Sequence, residues 1–267
     1  MTNATKVPQL LEYPLGQGVR AFSTTREAGY SKGNYASFNI NAYCGDEEGD
    51  RSRNVILLSH TLGIPASNIV QLHQIHSDRA LIVDGRFLSL PEEKRKKEAD
   101  GFDIVMTDCE GVCIGVSTAD CIPVILYDEE HGAICVAHAG WRGSAIRVAE
   151  KAVKRMQETY CSTPLRIKAV IGPGISMEAF EVGNEVYEAF LKAGFPMERI
   201  AKLMSTANGG RKWHIDLWAA NYLSLEAAGV SDIRVAGICT YNNYSRFFSA
   251  RRLGIKSGRI FTAAFIR

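Results

Sequence analysis

Two apolar runs joined by a short polar turn constrain the fold of this chain more than any other feature of its sequence. The runs are CIPVILY (121–127) and AICVAH (133–138), and the turn between them is DEEHG (128–132). Short runs rich in valine and isoleucine that are bounded by polar residues and glycine are typical of strands. We therefore predict an antiparallel hairpin in the core, with a cysteine at its beginning and a histidine at its end.

The register of this hairpin decides whether Cys121 and His138 lie side by side. If the pairing is centred between Glu129 and Glu130, Cys121 lies opposite His138, and opposed residues have Cβ atoms about 4.5–5.5 Å apart. A sulfur and an imidazole nitrogen bind zinc at about 2.3 and 2.0–2.1 Å, so this register allows one ion to bind both. A turn one residue longer or shorter would place them on opposite faces. The alternative is a buried structural thiol and a core histidine bonded to a backbone carbonyl.

Further strands are predicted outside the hairpin from runs of the same composition. They are VRAFSTT (19–25), NIVQLH (68–73), RALIVD (79–84), VCIGVST (112–118), LRIKAVIG (165–172), DIRVAGICT (232–240) and GRIFTAAFI (258–266). Because these strands come in clusters rather than in strict alternation with helices, we expect an α+β fold with mixed β-sheets flanked by helices.

Helical periodicity is clearest after Trp141, where apolar residues fall on one stripe. The residues of the stripe are Ala145, Ile146, Ala149, Ala152, Val153 and Met156. A second helix is predicted from Asp216, a suitable N-cap, to Ala228, with Gly229 at the C′ position. Further helices fit residues 52–62 and 184–193. The sequence has neither GxGxxG after a strand nor GxxxxGK[ST], so dinucleotide and P-loop chemistry are not expected.

Charge and cysteine content exclude several classes of protein. The 31 basic and 29 acidic residues leave a net charge of +2, so we expect no nucleic-acid partner. The run PEEKRKKEAD (91–100) mixes signs and is predicted to be a solvated helix or loop. No run of 18 apolar residues predicts a membrane span, and the N-terminal segment lacks the apolar core of a signal peptide, so we expect a cytoplasmic location. The 7 cysteines form no CxxC pair, so a metal site must be assembled from distant segments.

Two histidines near a strand end offer a third ligand for a metal. They are His73 and His76 in QLHQIHSDR (71–79). Residues three apart in an extended segment point to opposite faces, so only one of the two is expected to point inward. The pattern does not choose between them.

Arginines near the chain's glycine-rich turns are candidates for binding an anion. HAGWRG (138–143) leaves a strand and enters a helix, where glycines allow close approach of the backbone and the helix N-terminus favours anions. The guanidinium of Arg142 suits phosphate or carboxylate, although it could equally face solvent. Arg251, Arg252 and Arg259 are expected to be surface cations unless the fold brings them to a pocket.

Several motifs together resemble a known family. STTREAGYSKGNYASFNI (23–40), TADCIPVILY, VAHAGWRG, IGPGIS…FEVG, IDLWAAN, GICT and FFSARR…SGR occur in the order found in the YfiH-like family. That family was once described as multicopper polyphenol oxidases or laccase-domain proteins and is now regarded as purine nucleoside phosphorylases. The resemblance covers residues 19–266 and implies a single domain (1–267) with a YfiH-like, or CNF-like, fold.

The resemblance also implies a site. It implies zinc, with copper as the alternative metal, bound by His76, Cys121 and His138. It implies catalytic roles for Asp120, Cys121 and His138, although Asp120 precedes Cys121 and should point the opposite way in a strand. It implies substrate-binding roles for Asn39, Arg142 and Arg252. The chain departs from the family pattern at Ser77, Ala179, Phe180 and Ala250, none of which is an implied ligand.

The implied activity is phosphorolysis of adenosine, inosine, guanosine and methylthioadenosine, together with deamination of adenosine. The implied partners are purine nucleosides and phosphate. Three alternatives remain open. A copper-dependent polyphenol oxidase would need several coppers, yet the chain has 6 histidines and no HxH pair. A cysteine hydrolase would use Cys121 as nucleophile and His138 as base. A non-enzymatic zinc-binding interaction module would show no turnover.

Overall fold

The computed structural model describes residues 6–206 and 209–267 of the chain. The strands are β1 (Leu10–Tyr13), β2 (Val19–Thr24), β3 (Ile69–Gln71), β4 (Ala80–Ile82), β5 (Ile104–Thr107), β6 (Cys113–Thr118), β7 (Ile122–Asp128), β8 (Ala133–Ala139), β9 (Ile167–Ile171), β10 (Glu181–Val182), β11 (Ala201–Ser205), β12 (Arg211–Ile215), β13 (Asp232–Val235) and β14 (Ile260–Ile266). The helices are α1 (Glu48–Leu62), α2 (Gly85–Ser89), α3 (Glu92–Glu98), α4 (Trp141–Ala145), α5 (Val148–Tyr160), α6 (Asn184–Lys192), α7 (Met197–Ile200), α8 (Leu217–Ala227) and α9 (Ala250–Leu253).

These strands form mixed sheets, as predicted. Within the described residues, one sheet has five strands in the order β1-β2-β14-β6-β3, and another has six in the order β13-β9-β7-β8-β5-β4. A third, small sheet has the order β10-β12-β11. Parallel pairs such as β9 with β13 occur beside antiparallel pairs such as β7 with β8. The α+β class is therefore confirmed.

The two larger sheets stack on each other, and alternate residues of one strand face different layers. In β8, Ile134 and Val136 belong to the cluster between the two sheets, whereas Cys135 and Ala137 belong to the cluster under the helices. Successive side chains of a strand point to opposite faces, so a strand covered on both faces needs apolar residues at every position. This is why the hairpin has no polar alternation.

Helices cover the outer faces of both sheets. Four residues of the predicted stripe, Ala149, Ala152, Val153 and Met156, are fully buried on α5. Ile146 is 43% exposed, so its predicted place in the core is wrong. The cause is a break in the helix, since Arg147 between α4 and α5 has a φ of +59° and turns the preceding residue outward.

The caps of α8 are those predicted from the sequence, whereas several short strands were not predicted. Asp216 caps α8 by accepting a hydrogen bond from the Ala219 N–H at 2.9 Å, and Gly229 after the helix has a φ of +90°. The run at 91–100 forms the solvated helix α3. No pattern had indicated β1, β5 or the small β10-β12-β11 sheet. The strand predicted at 232–240 ends at Val235.

The predicted register of the central hairpin is wrong by two residues. Ile122 pairs with Ala139, which places Pro123 rather than Cys121 opposite His138. The turn is centred one residue later than assumed, between Glu130 and His131, because Asp128 pairs with Ala133. Within this turn the Asp128 carboxylate accepts a hydrogen bond from the backbone N–H of Glu130 at 3.0 Å. A shift of two residues keeps each side chain on its face. Cys121 therefore lies in the bend before β7, beyond the paired strand.

No helix among the described residues combines the length and apolar character that crossing a membrane requires.

Candidate metal centre

Three loops and strand ends bring His76, Cys121 and His138 together. His76 lies between β3 and β4, Cys121 lies in the bend between β6 and β7, and His138 lies near the end of β8. One nitrogen or sulfur atom from each lies within 4.8 Å of the other two. The Cys121 Sγ atom is 3.9 Å from the His76 Nε2 atom. His76 is exposed and His138 is buried, so the group opens to solvent on one side.

An unusual backbone conformation orients the side chains of His76 and Cys121. His76 has a φ of +63°, and Asp120, immediately before Cys121, has a φ of +86°. The left-handed region is uncommon for residues other than glycine and clusters at functional sites, where surrounding contacts hold it. Each conformation is held by a carboxylate, that of Asp103 for the His76 loop and that of Asp120 itself for the cysteine bend.

The buried carboxylate of Asp103 holds the His76 loop and His138 at once. It accepts hydrogen bonds from three consecutive backbone N–H groups, those of Ile75, His76 and Ser77, at 3.2, 3.1 and 2.6 Å. The Nδ1 atom of His138 lies 2.7 Å from the Oδ1 atom of Asp103. Burial would raise the pKa of Asp103, but the hydrogen bonds from His138 and Ser77 outweigh it and lower the pKa to about 2.

Sequence reasoning missed Asp103. The available signal was a carboxylate directly before the apolar run IVM (104–106), a position that a core strand buries. A buried charge needs partners, so such a residue is a candidate for holding a site together. The Ser77 that departs from the family pattern belongs to the same network, because its Oγ atom donates to Asp103 at 2.9 Å.

The cysteine and the buried histidine shift each other's pKa. Burial would raise the pKa of Cys121, but the neighbouring His138 and His76 lower it to about 6. Burial would lower the pKa of His138, but Cys121 and Asp103 raise it to about 9. Both shifts favour a thiolate beside an imidazolium. A divalent cation that displaces the proton of the imidazolium would find a deprotonated sulfur, which is the form of cysteine that binds metals.

Gly140 leaves the space in which the His76 ring and the Cys121 sulfur lie close together. A Cβ atom at this position would lie 2.7 Å from the His76 Cδ2 atom and 3.0 Å from the Cys121 Sγ atom. The φ of Gly140 is −65°, so space and not backbone conformation explains the glycine. Two imidazoles and a thiolate are a donor set that suits zinc, and imidazole also suits copper. The residues present therefore fit a metal ion.

His73 lies outside the group. Its Nδ1 atom is 2.5 Å from the Asp100 Oδ1 atom, and its ring stacks on Tyr43 with centroids 4.3 Å apart. Of the two histidines that the sequence left open, His76 is the one beside Cys121.

The Asp120 carboxylate is bonded to the C-terminal part of the chain. Its Oδ1 atom accepts from the Thr240 hydroxyl at 2.7 Å, and its Oδ2 atom accepts from the backbone N–H of Arg251 at 2.6 Å. These bonds dock residues 240–251 against the cysteine bend. A direct catalytic role for Asp120 stays a prediction.

The residues expected to bind substrate lie in different surroundings. Arg142 is exposed at the beginning of α4, with its guanidinium 4.2 Å from the centroid of the Trp141 ring. Arg252 is exposed on α9, where its Nη1 atom donates to the Tyr241 hydroxyl at 3.2 Å. Asn39 is fully buried. Its amide NH₂ group donates to Asp46 at 2.8 Å, and its amide oxygen accepts from the backbone N–H of Arg259 at 3.0 Å, so a contact with substrate would have to break these bonds.

Known proteins are similar to this chain over nearly all of its length. The family described as multi-copper polyphenol oxidoreductase laccase matches residues 20–267. A purine nucleoside phosphorylase of Bacteroides thetaiotaomicron is 42% identical, with 100% of this chain and 99% of that protein aligned. Adenosine deaminase RL5, from an unknown prokaryotic organism, is 40% identical over 93% of this chain and 94% of its own. The crystal structure of the hypothetical protein YfiH from Bacillus licheniformis superposes with a TM-score of 0.87 at 25% identity, covering 100% of this chain and 98% of that one.

Proposed function

This chain belongs to the multi-copper polyphenol oxidoreductase laccase family and is an enzyme, and from that premise we propose that it cleaves purine nucleosides with phosphate at a zinc centre. The proposed ligands are His76, Cys121 and His138. The names of two similar proteins, a purine nucleoside phosphorylase and an adenosine deaminase, support the class of substrate.

The proposed main reaction is phosphorolysis of adenosine, inosine, guanosine and methylthioadenosine. A phosphate oxygen forms a bond to C1′ of the ribose, the bond from C1′ to the purine nitrogen breaks, and the base leaves with a proton. A second reaction, deamination of adenosine, is favoured by the similarity to adenosine deaminase RL5. There the oxygen of water replaces the amino group at C6, and ammonia leaves.

The observation that carries this proposal is the convergence of three ligand atoms within 4.8 Å beside the space left by Gly140. Three protein ligands leave a fourth position open, which is the pattern of a catalytic rather than a structural zinc. When bound, zinc would supply Lewis acidity and would lower the pKa of water to about 7.

The remaining residues of the site are proposed to bind and orient the substrate. Arg142 and Arg252 would bind phosphate or another polar group, because a guanidinium presents paired N–H groups that match phosphate oxygens. Stacking over Trp141 limits the directions that the Arg142 guanidinium can take. Asp120 would position the segment around Arg251, from whose backbone N–H it accepts a hydrogen bond. Asn39 would position the backbone of Arg259, from whose N–H it accepts a hydrogen bond.

Two alternatives make different use of the same atoms. A multicopper oxidase needs further metal sites near the first. Among residues 6–206 and 209–267, the other group with metal-ligand spacing is Asp128, Glu130 and His131. It lies at the opposite end of β7, roughly 20 Å away at 3.3 Å per residue. A cysteine hydrolase would use the thiolate–imidazolium pair directly, and it would need no metal.

Incubation of the zinc-loaded protein with adenosine, with and without phosphate, tests the proposal. We expect adenine and ribose 1-phosphate only with phosphate, and inosine and ammonia in both samples. His76→Ala should lose both activities, whereas Lys154→Ala, at an exposed lysine of α5, should keep them. Product formation by metal-free protein at the full rate would instead support the hydrolase.

A further inference from the structure

A single buried side chain contacts both histidines of the centre. The Asp103 side chain has no solvent exposure. The Oδ1 atom lies 2.7 Å from His138 Nδ1 and also accepts from the His76 N–H at 3.1 Å. The Oδ2 atom accepts from the Ser77 N–H at 2.6 Å and from its hydroxyl at 2.9 Å. The backbone joins the two segments as well, since the His138 N–H donates to the Asp103 carbonyl at 2.8 Å.

We propose that Asp103 is a positioning residue that selects the metal-binding tautomer of His138 and holds the His76 loop at the distance one metal ion requires. This inference rests on the proposed metal centre. A neutral imidazole has one N–H and one lone pair. A carboxylate at Nδ1 keeps the proton there, which directs the Nε2 lone pair to the side where Cys121 and His76 lie. Carboxylates bonded to ligating histidines in this way fix both the tautomer and the orientation of the ring.

The His76 loop needs the same carboxylate for a different reason. Its left-handed conformation at His76 is unfavourable for a residue with a Cβ atom. Three N–H groups in succession point at Asp103, so the carboxylate stabilises that conformation. The two histidines are thus oriented by one residue, and loss of its charge should move both.

Asp103→Asn separates these roles from bulk packing, because asparagine has almost the same shape. A carboxamide has one oxygen where the carboxylate has two. If that oxygen faces the loop, the NH₂ group faces His138 Nδ1 and forces the proton onto Nε2, which then cannot bind a metal. If the oxygen faces His138, the NH₂ group opposes the N–H of Ser77. Each arrangement weakens one histidine ligand.

Asp128 offers a matched control within the same sheet. Its side chain is also fully buried, and its Oδ2 atom lies 2.7 Å from the Nδ1 atom of His131. It also accepts from the backbone N–H of Glu130 at 3.0 Å. Asp128→Asn therefore removes the same kinds of hydrogen bond at the far end of β7. A merely structural role for Asp103 predicts that the two variants behave alike.

The test measures metal binding and a spectroscopic signature rather than turnover. Zinc affinity is measured by competition with a chromophoric chelator, and the cobalt(II) form is recorded in the visible and near-ultraviolet. Asp103→Asn should bind zinc about 10–100-fold more weakly, the usual effect of removing such a partner. Its cobalt spectrum should also change, while Asp128→Asn should match the unsubstituted protein in both. Zinc affinity of Asp103→Asn within twofold of the unsubstituted protein, with an unchanged cobalt spectrum, would overturn the inference.

Proton NMR of the metal-free protein keeps the inference testable if Asp103→Asn fails to fold or if the unsubstituted protein binds no metal. The His138 Nδ1 proton should give a downfield, slowly exchanging resonance because a buried carboxylate accepts it. The resonance is assigned by its loss in His138→Gln. Its absence from the unsubstituted protein would refute the role of Asp103. Its presence in a protein that binds no zinc would refute the metal centre instead.

Discussion

Replacement of Gly140 by alanine tests whether the space beside His76 and Cys121 exists for a metal. The new Cβ atom would lie 2.7 Å from the His76 Cδ2 atom and 3.0 Å from the Cys121 Sγ atom. Carbon atoms in favourable contact are about 3.5–4.0 Å apart, so the imidazole must move by roughly 1 Å. Metal–ligand distances tolerate only about 0.2 Å. The movement therefore exceeds the tolerance of the centre several-fold, although alanine suits the backbone, whose φ is −65°.

The assay is zinc content after dialysis, followed by chelator competition. We expect about one zinc per chain in the unsubstituted protein and far less in Gly140→Ala, with affinity reduced at least tenfold, a change of about 1.4 kcal/mol in binding free energy. Overpacking of this kind costs about 1–3 kcal/mol of folding stability, so the variant should melt a few degrees lower and still fold. Gly143→Ala is the control. Its Cβ atom would lie 3.3 Å from the His138 carbonyl oxygen, a contact that small movements relieve.

Full zinc binding by Gly140→Ala with an unchanged melting temperature would refute the argument. It would mean that the alanine Cβ atom fits beside His76 and Cys121 without displacing them. Equal loss of zinc in Gly140→Ala and Gly143→Ala would also refute it, since the effect would then come from the whole turn and not from the space beside the ligands.

Substitutions at the ligands and at the exposed cations test the rest of the site. His76→Ala should lose stoichiometric zinc in metal analysis, whereas His73→Ala should keep it, because His73 is bonded to a carboxylate outside the group. The reverse result would contradict the choice of His76 as the ligand. Iodoacetamide should modify Cys121 slowly in the zinc-bound protein and fast after chelation. The rate in the chelated protein should rise as pH increases through about 6, where the thiol ionises. Equal rates with and without zinc would argue against coordination. Arg142→Ala should raise the KM for phosphate in steady-state kinetics more than Lys154→Ala, and equal small effects would place Arg142 outside the phosphate site.

Local patterns were sufficient for the elements that local interactions decide. The apolar runs of β7, β8 and β14 identified strands because strands buried on both faces are made mostly of apolar residues. The cap at Asp216 and the glycine at 229 located α8, because a cap acts within one turn of its own helix. Strand β10 has two residues, too few for a period to show, and β12 begins with the exposed Arg211 and Lys212, so it is not an apolar run.

The ligands illustrate what a motif provides without tertiary structure. The resemblance indicated His76, Cys121 and His138, and their atoms do lie together. The predicted pairing of Cys121 with His138 was wrong, because the hairpin register differs by two residues and Cys121 faces His138 from a bend rather than from a paired strand. The bonding roles of Asn39, Arg142 and Arg252 toward a substrate stay predictions, as does the single-domain boundary at 1–267.

The sequence alone was sufficient to predict the α+β class, the hairpin, the helices with clear apolar periodicity or caps, and the residue types available for chemistry. Each of these depends on residues that are close together in the chain. The contacts of Asp103 with both histidines, the room that Gly140 leaves for His76 and Cys121, and the separate position of His73 follow from the folded arrangement. These features depend on the order of strands in the sheets and on loops that join residues far apart in the chain. Contacts between such residues leave no period and no fixed spacing in the sequence, so the folded arrangement alone reveals them.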